Sequence, residues 1–299
     1  IDVQELAKVF TGYDFDWTGT TRIADPANAG QFIDSFDYTQ KPMTADPTKW
    51  RSPRTTGYHS TEGKSFLGTS IPAGTSATDS LKAALDTLFN HPNTGPFFAR
   101  QMIQRLVTSN PAPGYVQRVA AVFADNGKGV RGDLNAVFRA IWLDDEALAA
   151  ANVTSNSFGK LREPILRLAQ WARTFGASSK SGNWSVASTA DPSNRLSQSP
   201  LRSASVFNFF RPGYVPANSN TAANSMVAPE LQLVNESTAP AYVNFMQRVI
   251  AGQEGATNDL SVPYVEEVTL AHDSARLLDR IDLLMTAGQL SPESRTLIK

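Results

Sequence analysis

Three short runs in this 299-residue chain bring together residue types that can do chemistry. The first is DFDWTGTTRIAD. In it Asp14, Asp16, Thr18, Gly19 and Asp25 fall where a calcium-binding loop places its ligands at positions 1, 3 and 5, its glycine at 6 and its last acid at 12. Arg22 occupies position 9, an Asp replaces the usual bidentate Glu, and only one flanking helix is visible, so an Asp-rich turn is the simpler reading. The second run is His59–Ser60–Thr61–Glu62–Gly63–Lys64, followed by Phe66–Leu67–Gly68. A His and a Lys held near an acid can bind an anion or move a proton. The structural alternative has His59 bonded to backbone while Phe66 and Leu67 anchor the segment, and no nucleophile or second acid is tied to the run by spacing. The third is SVFNFFRPGYVP. Phe207, Phe209, Phe210 and Tyr214 around a Pro212–Gly213 turn suit a buried aromatic cluster. The same run also suits a stacking platform for a sugar or polymer, with Phe209 and Tyr214 as rings and Asn208 and Arg211 as polar contacts.

Other chemistries lack their parts. His91 lies just before a helix start, packed by its place against the preceding helix of Leu81, Leu85 and Leu88, and no partner stands at helical ligand spacing. His272, beside Asp273, has no HExxH companion. Without cysteine there is no disulfide framework, thiolate metal site or cysteine nucleophile. No GxSxG elbow is present, and GKGVRGD lacks Walker spacing, which leaves it as a turn between helices.

The elements that must carry these runs follow from periodicity. The stretch Leu88–Glu146 spells three successive amphipathic helices. One opens at Asn93 or Thr94 and carries Met102, Ile103 and Leu106. The next carries Val116, Val119 and Phe123. A third is capped by Asp133 and carries Val137, Phe138 and Ile141. Short connections between such helices predict antiparallel packing. Lys160–Gly176 adds a helix with Leu161, Ile165 and Leu168 on one face. Further helices are expected after Asn235 or Ser237, after Asp273 or Ser274, and after the capping-box-like SPES at Ser291. By contrast, residues 11–75 lose the helical pattern and are rich in Gly, Pro, Thr and Asp, so short strands and turns are expected there. Phe15, Trp17, Phe32, Phe36, Trp50, Tyr58 and Phe66 are expected to pin this segment to the helical body. Binding groups are expected in it too, since irregular segments on a rigid scaffold commonly carry them. Residues 177–200, rich in Ser, read as a flexible surface loop.

Composition narrows the partners. Hydrophobic residues at 41% and charged residues at 18% suit a globular fold, and a net charge of −1 gives no general attraction to nucleic acid or anionic lipid. No apolar run approaches the ~20 residues that span a bilayer. Absence of cysteine with abundant Ser, Thr, Asn and Gly fits an exported bacterial protein. The chain opens on Ile1 inside a helix pattern, Val3, Leu6, Ala7 and Phe10 sharing a face.

HPNTGPFFARQMIQRLVTSNPAPGYVQRVAAVFADNGKGVRGDLNAVFRAIWLDDEA resembles the core signature of the bacterial family catalogued as domain of unknown function 1800. DVQELAKVFTGYDF, YHSTEGKSFLG, GKLREPILRLAQWARTFGA, SPLRSASVFNFFRPGYVP, MVAPELQLVNESTAPAYVNFM and LLDRIDLLMTAGQLSPESRTLI agree with it in order. In the His-to-Lys segment Ser60 stands where the family more commonly has Asp. The resemblance implies an upstream helical region and an export signal, so residues 1–299 are expected to be one helical domain forming the C-terminal portion of a longer precursor. It also implies a partner, an exported sulfatase-like protein of another uncharacterised family. It supplies no catalytic residue and no cofactor. The expected fold is mainly α, a multi-helix bundle-like body with an irregular, aromatic-rich insertion after the first helix. The expected function is periplasmic or extracellular binding or assembly, in contact with another protein or an extracellular polymer. The competing expectation is a hydrolase of such a polymer that uses carboxylates near His59.

Overall fold

In the computed structural model, which describes residues 2–25, 28–186, 188–253 and 259–298, the amphipathic stripes become helices and the turn-rich stretch becomes short hairpins. The fold is mainly α. The chain divides into two units, Ile1–Phe97 and Phe98–Lys299.

In the first unit, α1 (Asp2–Val9) brings Leu6 and Val9 onto a small core of Phe66, Ile71, Leu81 and Ala84. Two antiparallel hairpins follow. β1 (Arg22–Ala24) pairs with β2 (Phe32–Asp34) with Ile23 opposite Ile33, and β3 (Lys64–Phe66) pairs with β4 (Thr69–Ile71) with Lys64 opposite Ile71. Leu67 (φ 47°) and Gly68 (φ 78°) make the second turn, both left-handed as a tight two-residue hairpin demands. Alternation along β3 buries Lys64 and Phe66 and exposes Ser65. α2 (Ala77–Asn90) is capped by Ser76, whose hydroxyl accepts from the Asp79 amide at 3.1 Å. Of the seven aromatics expected to pin the irregular segment, only Trp50 and Phe66 are buried. Phe32, Phe36 and Tyr58 stay 60, 57 and 61% exposed. β1 and β2 leave most of their own side chains in solvent, Phe32 among them.

The second unit holds all but the first turn of α3 (Thr94–Leu106), then α4 (Pro113–Ala124), α5 (Leu134–Trp142) and the one-turn α6 (Asp145–Leu148). Ala99, Ile103, Tyr115, Val119, Phe123, Val137 and Ile141 form their common core, as the 3.6-residue period requires. Asp133 caps α5 by accepting from the Asn135 and Ala136 amides at 3.0 and 3.2 Å. α7 (Pro164–Thr174), β5 (Ser178–Ser179), α8 (Asn220–Ala223), α9 (Thr238–Ile250), β6 (Leu260–Ser261), α10 (Val265–Leu270), α11 (Ser274–Thr286) and α12 (Pro292–Ile298) complete the unit. A second core joins Leu168 and Trp171 of α7, Leu196, Phe245 and Val249 of α9, and Leu260 of β6. Each large apolar side chain buried in these clusters contributes about 1.5–3 kcal/mol.

The Ser-rich stretch after α7 is tied to the body by Leu196 in the second core and, nearer its start, by Asp259. The carboxylate of buried Asp259 accepts from the Ser181 amide (2.7 Å), the Ser185 amide (2.9 Å) and the Ser179 hydroxyl (2.8 Å). These bonds hold the Asp259 carboxyl far below the usual carboxylate range.

Candidate functional site

His59 is held between two parts of the first unit. Its Nδ1 donates to the Thr11 carbonyl at 3.0 Å, and its Nε2 shares a hydrogen bond with the hydroxyl of fully buried Ser80 at 3.2 Å. The Thr11 hydroxyl in turn accepts from the Ser60 amide at 2.8 Å and donates to the Lys8 carbonyl at 2.6 Å. Gly12 makes this clasp sterically feasible. It has φ +79°, and a Cβ there would sit 2.4 Å from the His59 nitrogen. With both ring nitrogens engaged inside the protein, His59 serves as a structural clasp.

Glu62 and Lys64 flank His59 in sequence but go elsewhere. Glu62 is exposed and pairs with Lys8 at 2.8 Å. The Lys64 side chain is buried, and Nζ donates to the carbonyls of Ser60 (2.9 Å) and Glu62 (3.1 Å), stapling its own loop. A cavity of about 570 Å³ does lie beside His59, lined also by Asp46, Thr61, Thr75, Ser76 and Thr78. Asp46 is its one carboxylate. The Thr48 hydroxyl (2.7 Å) and amide (3.0 Å) hold that carboxyl below its ordinary range. A general acid for glycosidic cleavage needs the opposite shift and a second carboxylate opposite it.

The three aspartates of the calcium-like run are each used locally. Asp14 accepts from the Phe15 amide at 2.7 Å and bridges Thr44 through its backbone, as an isolated antiparallel pair. Asp16 accepts from the Thr18 amide at 2.9 Å, and Thr18 holds its carboxyl below the ordinary range. Asp25 accepts from the Asn28 side chain at 2.8 Å near the tip of the first hairpin. Among the described residues no cluster of three His, Cys, Asp or Glu has the geometry to hold a metal ion.

A second recess of the first unit lies between Trp17 and Arg51. It measures about 450 Å³ and is lined by Trp17, Thr18, Thr20, Asp34, Lys49 and Arg51, with Thr48 and Trp50 behind. Tyr38 stacks on Trp17 at 4.2 Å and 14°, the Arg51 guanidinium lies 4.8 Å from the same ring, and Phe15 meets Tyr38 edge-on at 5.3 Å. Arg51 also pairs with Asp34 at 2.6 Å, while Trp17 is fixed by its amide donating to the Lys49 carbonyl at 2.8 Å. An exposed ion pair of this kind contributes only ~0–1 kcal/mol to stability, so its effect is to hold a carboxylate and a guanidinium in a fixed arrangement. Among the described residues the buried hydroxyl of Thr20 has no hydrogen-bond partner. Close by in sequence, Tyr58 stacks on Trp50 at 5.8 Å with Arg54 over it at 4.9 Å. Asp34, Lys49 and Arg51 were not singled out by spacing. The visible signal for Lys49 and Arg51 is the run KWRSPR, cations around a tryptophan in turn-rich sequence, and Asp34 has none.

The run SVFNFFRPGYVP belongs to the second unit and divides its rings. Phe210 is buried under the Arg105 guanidinium, 4.4 Å from the ring centroid. Phe207 is exposed, Phe209 and Tyr214 are half-buried, and Asn208 adopts φ 65°. Arg211 is held by its amide, which donates to the Gln232 side chain at 2.8 Å, and its backbone carbonyl accepts from Tyr214 at 3.1 Å. The four rings therefore form no single stack.

A family model described as "Protein of unknown function (DUF1800)" matches residues 1–299. No curated protein and no solved structure matches the chain.

Proposed function

As the chain belongs to the DUF1800 family over residues 1–299, whose description names no activity, we propose from its geometry that it is a binding protein for an extracellular polymer. The recognition surface in this reading is the recess around Trp17 and Arg51. One observation carries it: an open recess is lined by donors and acceptors (Thr18, Asp34, Thr48, Lys49, Arg51) beside the Trp17 ring. A polyhydroxylated ligand such as a saccharide offers both donors and acceptors and matches that lining, and a few placed polar groups set its orientation. Rings left in solvent at Phe32, Phe36 and Tyr58 add apolar area that such a chain can cover. The hydrolytic alternative has less support, because His59 is spent on Thr11 and Ser80 and the nearby Asp46 is held ionised.

Export to the periplasm or beyond, and assembly with an exported sulfatase-like protein, belong to the same proposal and rest on the family resemblance. Affinity gel electrophoresis through polysaccharides of the native host tests the binding itself. The wild-type protein is expected to be retarded by at least one of them and Arg51→Ala much less so. Equal mobility of both proteins in every gel overturns the proposal. Recovery of the sulfatase-like protein by native co-purification tests the partner.

A further inference from the structure

In the second unit a cleft of about 760 Å³ opens between the end of α3, the end of α5 and one face of α7. Leu166, Ala169, Gln170 and Arg173 share that face through their spacing of three and four residues. Arg105, Lys160, Arg162 and Arg173 line the cleft, and no carboxylate does. The four cations are not equivalent. The Lys160 ammonium is neutralised by buried Glu230 at 3.1 Å and donates to the Arg105 carbonyl at 3.0 Å. Arg105 lies over Phe210, and Arg162 bonds to the Gln170 side-chain oxygen. Among the described residues no carboxylate is within ion-pair distance of Arg105, Arg162 or Arg173.

Three guanidiniums around one concavity repel each other. In a chain of net charge −1 they are a local departure from the general balance. Trp142 and Leu166 add exposed apolar surface to the same lining, at 49 and 43% exposure. Guanidinium forks bind carboxylate and sulfate oxygens in pairs, and an indole covers the apolar face of a sugar ring. The volume lies in the usual range for ligand pockets.

We propose that this cleft binds an anionic saccharide, one carrying carboxylate or sulfate groups, with Arg162 and Arg173 on the anionic groups and Trp142 on a ring. The site stands independently of the recess around Trp17, since it is built from other residues and is tested through other variants.

Isothermal titration of the full chain with a sulfated galactan oligosaccharide, which has no carboxylate, and with an oligogalacturonate, which has no sulfate, tests it and separates the two groups. At least one is expected to bind, with affinity falling as NaCl rises. Arg173→Ala is expected to weaken binding about tenfold or more and to reduce the salt slope by about one. Among the described residues the Arg173 side chain has no hydrogen-bond or ion-pair partner to lose, so the variant should fold normally, which its melting curve checks. Trp142→Ala should weaken binding without changing the salt slope. No heat with either saccharide overturns the proposal, as does wild-type affinity in Arg173→Ala. Equally tight binding of polyglutamate or a single-stranded oligonucleotide overturns the saccharide assignment.

Discussion

Replacing Tyr115 by Phe removes one oxygen from the centre of the second unit and leaves the ring in place. The side chain is fully buried, and its hydroxyl donates to the Ile141 carbonyl at 2.5 Å, linking α4 to the last turn of α5. Carbonyls in a final helical turn depend on donors from outside the helix. Loss of this donor inside the protein costs about 2 kcal/mol, or about 4–8 °C in Tm for a unit of this size. Differential scanning calorimetry of the two proteins measures it, with an expected drop in that range at pH 7. The pH dependence supplies a second reading. Burial, with the negative charges of Asp144 and Glu146, raises the Tyr115 hydroxyl from 10.0 to about 12. The folded state therefore holds this proton more tightly than the unfolded chain. Its stabilisation is complete below pH 10 and is lost as pH rises towards 12. The gap between wild type and Tyr115→Phe should accordingly narrow above pH 10. Equal melting temperatures at pH 7 would refute the reasoning.

Gly12→Ala should destabilise the first unit by well over ~1 kcal/mol, because it meets both a left-handed φ and the His59 backbone. Gly19→Ala has a similar φ of +77° but nothing within 4 Å of the new Cβ, so its cost should be clearly smaller in urea melts. The depressed Asp259 carboxyl stabilises the Ser-rich stretch above its unfolded pKa and ceases to do so as pH falls through the folded one. Hydrogen exchange at the Ser181 and Ser185 amides should therefore lose protection on strong acidification, and at neutral pH in Asp259→Ala. Asn235 caps α9 by accepting from the Ser237 and Thr238 amides at 2.9 and 3.0 Å, so Asn235→Ala should cost about 1 kcal/mol, measurable in the same melts.

Helices were legible because the signal is local. Ile103, Val119, Val137 and Leu168 announce their buried faces by recurrence every three or four residues, and Asp133, Asn235, Asp273 and Ser291 announce the starts by side-chain chemistry. The part before residue 75 was legible only as irregular. Its aromatics were expected inside, yet most remain at the surface. Phe66 is buried because β3 packs on α1 and α2, a fact about neighbours and not about the residue. The partners of His59 lie 48 and 21 positions away, at Thr11 and Ser80, beyond any spacing rule. Arg51 and Asp34, and likewise Arg105 and Arg173, converge only through the fold. The run of sequence that looked richest in ligand-binding rings, 207–214, turns out to split between core and solvent.

The most direct measurement of the central claim is a calorimetric titration of the purified chain with oligosaccharides prepared from the native host's extracellular polymer. The account expects saturable binding without turnover of the polymer, weakened in Arg51→Ala and in Asp34→Ala and unaffected in His59→Gln once that variant is shown to be folded. Progressive depolymerisation that disappears in folded His59→Gln, or binding indifferent to Arg51 and Asp34, would contradict it.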